Sequence, residues 1–337
     1  MEWDSGRAQA AFAALDGAFT GSGIVVAVAA VDGSGPAFAV TEGLAEDARF
    51  EIGSITKTMT ATLLASLVGD GVLALDDEIG RWLDAGQNGN ITLEQLATHS
   101  SGLPRLAPNH RTGEANPYRD FTAERAEEGL RNATRTPDAG FRYSNFGYQL
   151  LGLALERASG QHYQDLLAER LLGPLGMTHS GVGRAGGGTR VKGHADGKPA
   201  GHWDHALPGP GAVEATIGDL ARYLAASLAP PDGPLGTAIR LCQQPRLSVD
   251  GRSALGLAWI ITGGLLFHSG GTGGFSASMA IDQAAGHAVA ALVNTHGRSP
   301  RLLDAVVMET VKGNDPGRLR PRDTGETAGP EWDERAI

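Results

Sequence analysis

The sequence has little cysteine, little positive charge and no long apolar run. Its 337 residues include one cysteine, Cys242, so neither an intrachain disulfide nor a cysteine-based zinc site is possible. Lys and Arg number 28 against 38 Asp and Glu, and this net charge of −10 disfavours nonspecific binding to nucleic acid. Nothing approaches the ~20 continuous apolar residues of a transmembrane helix, so the sequence predicts no membrane span.

The first 19 residues, MEWDSGRAQAAFAALDGAF, are acidic and then amphipathic. They lack the basic segment and the apolar core of a secretory signal peptide. We therefore expect a cytoplasmic protein, or a secreted one if the sequence has been trimmed.

Strand patterns lie near both ends of the sequence, and helical patterns lie between them. Two apolar runs flank the turn DGSG at residues 32–35, which predicts a β-hairpin. A short strand, ARFEIG, follows at 48–53, and four further strands separated by turns follow Leu255. Helical patterns dominate residues 60–225 or so, and a last helix, PRLLDAVVMETVKG, follows the strands.

These patterns predict an α+β fold, with one antiparallel sheet built from both chain termini and flanked by helices. We expect residues 1–60 and 225–313 to form this part, and residues 61–224 to form a mainly helical insertion. The tail, residues 314–337, is rich in Pro, Gly and charge, so we expect it to be disordered or loosely docked. A site where the two parts meet would lie in a cleft.

The stretch FEIGSITKTMTA, residues 50–61, places Ser54 and Lys57 three positions apart at a predicted helix start. Residues at this spacing share one helical face, so the amine can reach the hydroxyl. The unused amides and the positive dipole of a helix start would stabilise an oxyanion formed by attack of Ser54 on a carbonyl. A desolvated lysine can take the serine proton. Alone, the pattern is a weak signal, because many helices contain it by chance, and a capped amphipathic helix with a solvated lysine is then the better interpretation.

A second candidate motif is Tyr143-Ser144-Asn145, at the entrance of a predicted buried helix, YSNFGYQLLG. A tyrosine in this position is usually part of a core. If the fold brings Tyr143 near Lys57, its phenol can shuttle protons.

The third candidate motif lies in the stretch FHSGGTGGF, residues 267–275, which carries His268, Ser269 and Gly270 on a predicted strand. Positions without side chains let a substrate lie along the strand edge. The amide of Gly271 would then be a second oxyanion donor. The alternative interpretation is a glycine-rich hairpin with a hydrogen-bonded histidine.

Taken in order, these three motifs resemble those of the penicillin-recognising serine enzymes. That superfamily includes class C β-lactamases, serine DD-carboxypeptidases and β-lactamase-like esterases. The flanking sequences follow the same order from about residue 20 to 312, and they are GSITK, GVLALDDEI, ITLEQLATHSSGLP, YSNFGYQLLG, GPLGM and LVNT. The resemblance implies the serine β-lactamase/DD-peptidase fold and an acyl-enzyme reaction.

Residue by residue, the resemblance implies Ser54 as nucleophile and Lys57 as the group that holds its proton network. Tyr143 is the implied general base, and Asn145 the partner of a substrate amide and of Lys57. His268 stands where many relatives have the lysine of Lys-Thr-Gly, so it brings less fixed positive charge to an acidic substrate. By the same resemblance, THSSGLP is structural, although it contains a histidine and two serines.

Recognition of a substrate carboxylate stays open. The DD-carboxypeptidases that this sequence resembles have an arginine before the last motif, whereas GLAWIITGG offers Trp259, which would suit an apolar or aromatic acyl group. Class C enzymes instead use Asn and Arg after the following strands, and Asn294, Arg298 and Arg301 lie in about that place. Trp203, in a loop that borders the pocket by resemblance, is a further candidate for substrate contact.

That loop, HADGKPAGHWDH, also gathers five possible metal ligands, namely His194, Asp196, His202, Asp204 and His205. Their spacing fits no standard metal site, and a solvated loop is the better interpretation. The sequence implies no metal and no organic cofactor.

Three hypotheses remain at this point. The first is a serine hydrolase that cleaves small esters, amides or β-lactams through a Ser54 acyl-enzyme, with esterase or weak β-lactamase activity favoured over cell-wall peptide cleavage. The second is a cytoplasmic biosynthetic acyltransferase that uses the same acyl-enzyme. The third is a non-catalytic ligand-binding relative, which the intact set of motif residues disfavours. The oligomeric state stays open.

Overall fold

The computed structural model describes residues 3–111, 115–138, 140–296 and 300–319. Within these ranges the α-helices are α1 (Trp3–Ala18), α2 (Thr56–Gly69), α3 (Leu93–Ala97), α4 (Ala123–Asn132), α5 (Asn145–Ser159), α6 (Tyr163–Leu167), α7 (Ile217–Leu228), α8 (Pro234–Cys242) and α9 (Pro300–Val311). A π-helical turn, Ala168–Leu172, continues α6. None of the described helices combines the length and apolarity needed to cross a bilayer.

The strands of the described chain are β1 (Val26–Asp32), β2 (Gly35–Val40), β3 (Ala48–Glu51), β4 (Gly181–Val182), β5 (Thr189–Arg190), β6 (Gly193–Ala195), β7 (Lys198–Ala200), β8 (Val213–Ala215), β9 (Leu247–Ser248), β10 (Ser253–Leu255), β11 (Ile260–Thr262), β12 (Leu265–Gly271), β13 (Ser276–Asp282), β14 (His287–Val293) and β15 (Thr295–His296). The main sheet has eight strands in the order β2-β1-β14-β13-β12-β11-β10-β9. Neighbouring strands in it are antiparallel, and β1 pairs with β14 so that Val28 faces Ala291. The predicted α+β fold, with one sheet built from both chain termini, is confirmed.

Strand β1 is apolar and buried from residue 26 to residue 31 because both faces of the sheet are covered. Successive side chains on a strand point to opposite faces. One set belongs to the same buried cluster as residues of α1 and α9, and it consists of Val26, Val28 and Ala30. The other set belongs to the cluster that contains residues of α2 and α7, and it consists of Ala27, Ala29 and Val31. Of these helices, α1 and α7 contact β1 directly. An antiparallel sheet with one wet face would instead show alternation of apolar and polar residues.

Local signals place the ends of several elements. The predicted hairpin turn is closed by Asp32, whose carboxylate accepts hydrogen bonds from the amide and the hydroxyl of Ser34. Thr92 caps α3 in a full capping box with Gln95. Thr216 caps α7, but the Asp219 carboxylate accepts from the His179 amide instead of completing a box.

The inserted region differs from the sequence-based expectation, and the structure describes the beginning of the tail. The region expected to be a mainly helical insertion also holds five short strands, β4 to β8, which form small sheets with β3 and β15. The beginning of the tail is docked: Pro316 is buried, and the Asn314 carbonyl oxygen accepts a hydrogen bond from Arg7 on α1. The prediction for residues 320–337 lies outside the described residues.

Candidate active site

Ser54 lies where β3 ends and the chain turns into α2. Gly53 opens the intervening 3-10 turn with a φ of +49°, which a residue with a side chain rarely adopts. The backbone of β12 packs directly against this turn: a Cβ on Gly270 would lie 2.1 Å from the Ile52 carbonyl oxygen and 2.7 Å from the Ser54 nitrogen. The glycine pattern therefore permits the close approach of β12 to the serine.

Lys57 lies one helical turn after Ser54 and is fully buried. Its Nζ donates hydrogen bonds to Ser54 Oγ at 2.9 Å and to the Pro210 carbonyl oxygen at 2.8 Å. It also lies 5.0 Å and 5.6 Å from the ring centres of Tyr143 and Tyr148, within range of cation–π attraction. These contacts fix the amine beside the serine hydroxyl.

Tyr143 reaches the serine from the residues just before α5. Its hydroxyl donates to Ser54 Oγ at 2.7 Å, so Ser54 Oγ accepts hydrogen bonds from both predicted partners. The Tyr143 ring packs on His99 with a centroid distance of 4.5 Å, and His99 Nδ1 accepts from the Ser144 amide. Burial lowers the pKa of His99 well below its usual value, and nearby Lys57 lowers it further. A neutral His99 supports the tyrosine, as its predicted structural role requires.

Asn145 begins α5 beside the serine and is 6% exposed. Its Nδ2 donates to the Tyr118 hydroxyl at 3.0 Å. Its Oδ1 is buried and has no hydrogen-bond partner among the described residues. The expected hydrogen bond between Asn145 and Lys57 is therefore not seen. The side-chain nitrogen of Asn145 donates to Tyr118 instead, and its side-chain oxygen accepts from neither Lys57 nor Tyr118.

The last motif contributes backbone rather than charge to the site. A Cβ on Gly53 would lie 2.6 Å from the Gly271 nitrogen, so the Gly271 amide lies beside the serine turn. Gly271 lines the pocket together with Ser54. His268 is buried, its Nδ1–H donates to the Ser269 carbonyl oxygen at 2.7 Å, and burial together with Lys57 lowers its pKa to about 3. His268 is thus a neutral residue near neutral pH.

A pocket opens in front of Ser54. The described residues that line it are Gly53, Ser54, Arg105, Tyr118, Asn145, Trp203, His205, Pro210, Gly211, Gly271, Thr272 and His296. They include Trp203, as the sequence predicts for a substrate contact. His268, Ser269 and Gly270 lie behind this lining rather than in it.

Three predicted substrate contacts need comment. Trp259 is 1% exposed and stacks on Tyr223 inside the core, so the prediction that it contacts an acyl group is wrong. Asn294 is buried, and its side-chain nitrogen donates to the carbonyl oxygens of Gly23 and Lys192, which is a structural role. Arg298 lies outside the described residues.

Similarity to known proteins extends over most of the chain. The family model described as Beta-lactamase matches residues 14–311, which is most of the chain. The chain belongs to the beta-lactamase family. It is a serine hydrolase of that family, related to the DD-carboxypeptidases and the penicillin-binding proteins.

Curated relatives of this beta-lactamase-family enzyme include the D-alanyl-D-alanine-carboxypeptidase/endopeptidase AmpH of Escherichia coli (strain K12), 30% identical over 264 residues, or 70% of this chain and 68% of that protein. A penicillin-binding protein of Bacillus subtilis (strain 168) is 32% identical over 137 residues, which cover 40% of this chain and 30% of the relative's length.

Two solved structures show the same fold. An octameric penicillin-binding protein homologue from Pyrococcus abyssi matches with a TM-score of 0.72 at 22% identity, covering 88% of this chain and 75% of that one. A beta-lactamase/D-alanine carboxypeptidase from Pseudomonas syringae matches with a TM-score of 0.74 at 18% identity, covering 86% and 93%.

A cluster of possible metal ligands lies behind the pocket of this family member. Glu51, His202 and Glu214 each offer a ligand atom, all within 4.8 Å of one another. The Glu214 carboxylate, however, is ion-paired with Arg190 and lies 3.7 Å from Arg49. Two guanidinium groups already balance its charge, so we interpret the cluster as a buried ion-pair network.

The acidic end of β3 also orders the loop over the site. Glu51 Oε1 accepts hydrogen bonds from His202 Nδ1 at 2.7 Å and from the Trp203 amide at 3.0 Å. Because Glu51 lies three residues before Ser54, one short segment carries both the nucleophile and the anchor of the loop that lines its pocket.

Sequence reasoning missed Arg105, Tyr118, Thr272 and His296 as lining residues. Arg105 follows the SSGLP segment and Thr272 follows the last motif, so proximity to those motifs was the available signal. Tyr118 has no such neighbour. The structure identifies it by its contacts with Asn145, Trp203 and His205.

Proposed function

We propose that this enzyme hydrolyses small esters, amides or β-lactams through an acyl-enzyme on Ser54. One observation carries the proposal: Ser54 Oγ accepts hydrogen bonds from both Lys57 Nζ and the Tyr143 hydroxyl, at 2.9 and 2.7 Å. A nucleophile within hydrogen-bond distance of two groups able to take its proton is the arrangement that covalent catalysis requires.

Acylation follows from this geometry. The substrate carbonyl oxygen lies between the amides of Ser54 and Gly271, which stabilise the negative charge that develops on it. In the structure the Tyr143 hydroxyl donates to Ser54 Oγ, so the reactive form is the one in which Tyr143 has lost its proton and is a phenolate beside the Lys57 ammonium. This phenolate accepts the serine proton as Oγ bonds to the carbonyl carbon. Tyr143 then returns a proton to the leaving oxygen or nitrogen, and the carbonyl re-forms as the bond to the leaving group breaks.

Deacylation repeats the same steps with water. Water attacks the ester carbonyl, Tyr143 takes its proton, and the tetrahedral intermediate expels Ser54 Oγ, which regains a proton from the pair. An amine or alcohol in place of water would give acyl transfer, so the choice of acceptor decides between hydrolase and acyltransferase.

Charge in the pocket bears on the class of substrate. Among the described lining residues, Arg105 carries a permanent positive charge and no carboxylate is present. The Arg105 guanidinium lies 5.1 Å from the centre of the Tyr143 ring. These charges support neutral or carboxylate-bearing substrates, such as penicillins, over cationic ones.

The test is intact mass spectrometry after incubation with a fluorescent penicillin and, separately, with p-nitrophenyl butyrate. We expect an adduct or a burst with wild type and with the control Ser34→Ala, which removes a hydroxyl from the exposed hairpin turn. Ser54→Ala should show neither. A wild type that gives neither adduct nor burst with both reagents would contradict the proposal. Product analysis with added amines or alcohols separates hydrolysis from acyl transfer.

A further inference from the structure

His205 lines the same pocket as Ser54 but takes no part in the proton network. It lies on the loop between β7 and β8. Its ring stacks flat on Tyr118, with a centroid distance of 4.7 Å and an angle of 9°, and Tyr118 in turn accepts a hydrogen bond from Asn145. The stack fixes the plane of the imidazole and leaves its edge for other contacts.

Both ring nitrogens of His205 are shielded from solvent and have no hydrogen-bond partner within the described chain. The same holds for Asn145 Oδ1 and Thr272 Oγ1, whose side chains are more than nine-tenths buried and line the same pocket. Shielded polar atoms without partners are costly. Their concentration in one pocket means that whatever occupies the pocket, water or a bound molecule, supplies the missing hydrogen bonds, and a bound molecule that displaces the water must match them.

The charge state of His205 limits what that molecule can be. Burial lowers the pKa of His205 to about 3, with Lys57 adding to the effect, so the ring is neutral near neutral pH. A neutral imidazole has one N–H donor and one bare nitrogen. Asn145 Oδ1 is an acceptor and nothing else. A secondary amide matches this pair, because its N–H suits Asn145 Oδ1 and its carbonyl oxygen suits the imidazole N–H.

We propose that His205 is a specificity-determining residue that donates a hydrogen bond to an amide carbonyl in the acyl part of the substrate, beside Asn145. The enzyme then prefers acylamino acyl groups to plain hydrocarbon ones. This inference rests on the proposed Ser54 acyl-enzyme.

Three phenyl thioesters of matched length test it. The hippuryl thioester carries both the N–H and the carbonyl, the 4-oxo-4-phenylbutanoyl thioester keeps the carbonyl alone, and the 4-phenylbutanoyl thioester has neither. His205→Phe keeps the stack on Tyr118 and removes both nitrogens. We expect it to lower kcat/KM about tenfold for the two carbonyl-bearing thioesters and to leave the third unchanged.

Two further variants sharpen the test. His205→Gln keeps a side-chain donor and should recover part of the preference, and the control His162→Phe changes an exposed histidine and should behave as wild type. The pH profile of kcat/KM should be the same in all variants, because a neutral hydrogen-bonding residue transfers no proton.

The outcomes separate the two proposals. An equal loss on all three thioesters, no loss at all, or a changed pH profile in His205→Phe overturns the role of His205 while wild-type turnover leaves the Ser54 reaction intact. If wild type turns over none of the thioesters and forms no Ser54 adduct, the proposed function fails and the subsite fails with it.

Discussion

Replacing Gly53 with alanine would insert a methyl group between the nucleophile and the strand that carries the second oxyanion donor. Gly53 has a φ of +49°, and its new Cβ would lie 2.6 Å from the Gly271 nitrogen and 2.7 Å from the Gly271 oxygen. Both contacts are with backbone atoms, so no flexible side chain can move aside. The backbone strain at residue 53 lowers the folding stability, whereas the clash with Gly271 lowers the reaction rate, so the two effects can be measured separately.

The magnitudes follow from the two effects. A side chain in the left-handed region costs about 1–2 kcal/mol of folding free energy. Relieving the clash requires Gly271 to withdraw by about 0.8 Å, from 2.6 Å to the 3.4 Å at which ordinary van der Waals contact begins. A misplacement of about 1 Å in a catalytic group costs on the order of 10²-fold in rate, similar to loss of an oxyanion donor. We expect kcat/KM to fall about 100-fold.

Gly160→Ala is the matched control. Gly160 ends α5 with a φ of +72°, and a Cβ there would meet nothing within 4 Å. It therefore carries the strain without the clash, at the far end of α5 from Asn145. Urea unfolding and turnover of p-nitrophenyl butyrate are measured on both variants. If Gly53→Ala retains the kcat/KM of Gly160→Ala, the close approach of β12 does not set the oxyanion site and the reasoning is refuted.

Two further predictions concern proton transfer and pH. Tyr143→Phe should lower kcat by about 10²- to 10⁴-fold in stopped-flow assays, because it removes the group that moves the serine proton; a tenfold loss or less would assign this role elsewhere. Burial lowers the pKa of His268 to about 3, so the histidine stays neutral in the folded protein. In the unfolded chain it takes up a proton below pH ~6.5. The contribution of His268 to the free energy of unfolding is therefore lost as the pH falls from ~6.5 to about 3. In urea titrations between pH 6 and 4, His268→Gln should flatten the pH dependence of the unfolding free energy by about 1.4 kcal/mol per pH unit, and an unchanged slope would exclude His268 as its source.

Much of the fold could be predicted because its larger elements carry regular signals. The hairpin around Asp32, the Thr92 cap of α3 and the apolar strands after Leu255 follow from turn chemistry and periodicity. The short strands β4 to β8 could not be predicted, because two or three residues contain no period to recognise. Strands β5 and β8 pair with β3, and β6 pairs with β15, which are distant in the sequence. Strands β4 and β7 pair in turn with β8 and β6.

The sequence predicts those parts of the candidate site that belong to a short motif. It does not predict the parts that depend on single residues outside the motifs. Ser54 and Lys57 are three positions apart, so helix geometry alone places them together. Trp259 is predicted to suit an acyl group because it stands before the last motif, where the DD-carboxypeptidases that the sequence resembles have an arginine. The sequence does not show which way a side chain just before the short strand β11 faces, and the structure places this ring against Tyr223 in the core.

The site is formed by contacts between distant segments of the chain rather than by any one motif. Ser54 and Lys57 are held by contacts from two other regions: Lys57 Nζ donates to the Pro210 carbonyl oxygen, and the backbone of Gly270 packs on the Ser54 turn. Glu51 ties the same segment to the Trp203 loop. Each of these contacts joins residues more than 100 positions apart in the sequence. The positions of Ser54 and of the Gly271 amide therefore depend on the packing of β12, a strand of the sheet that both ends of the chain build.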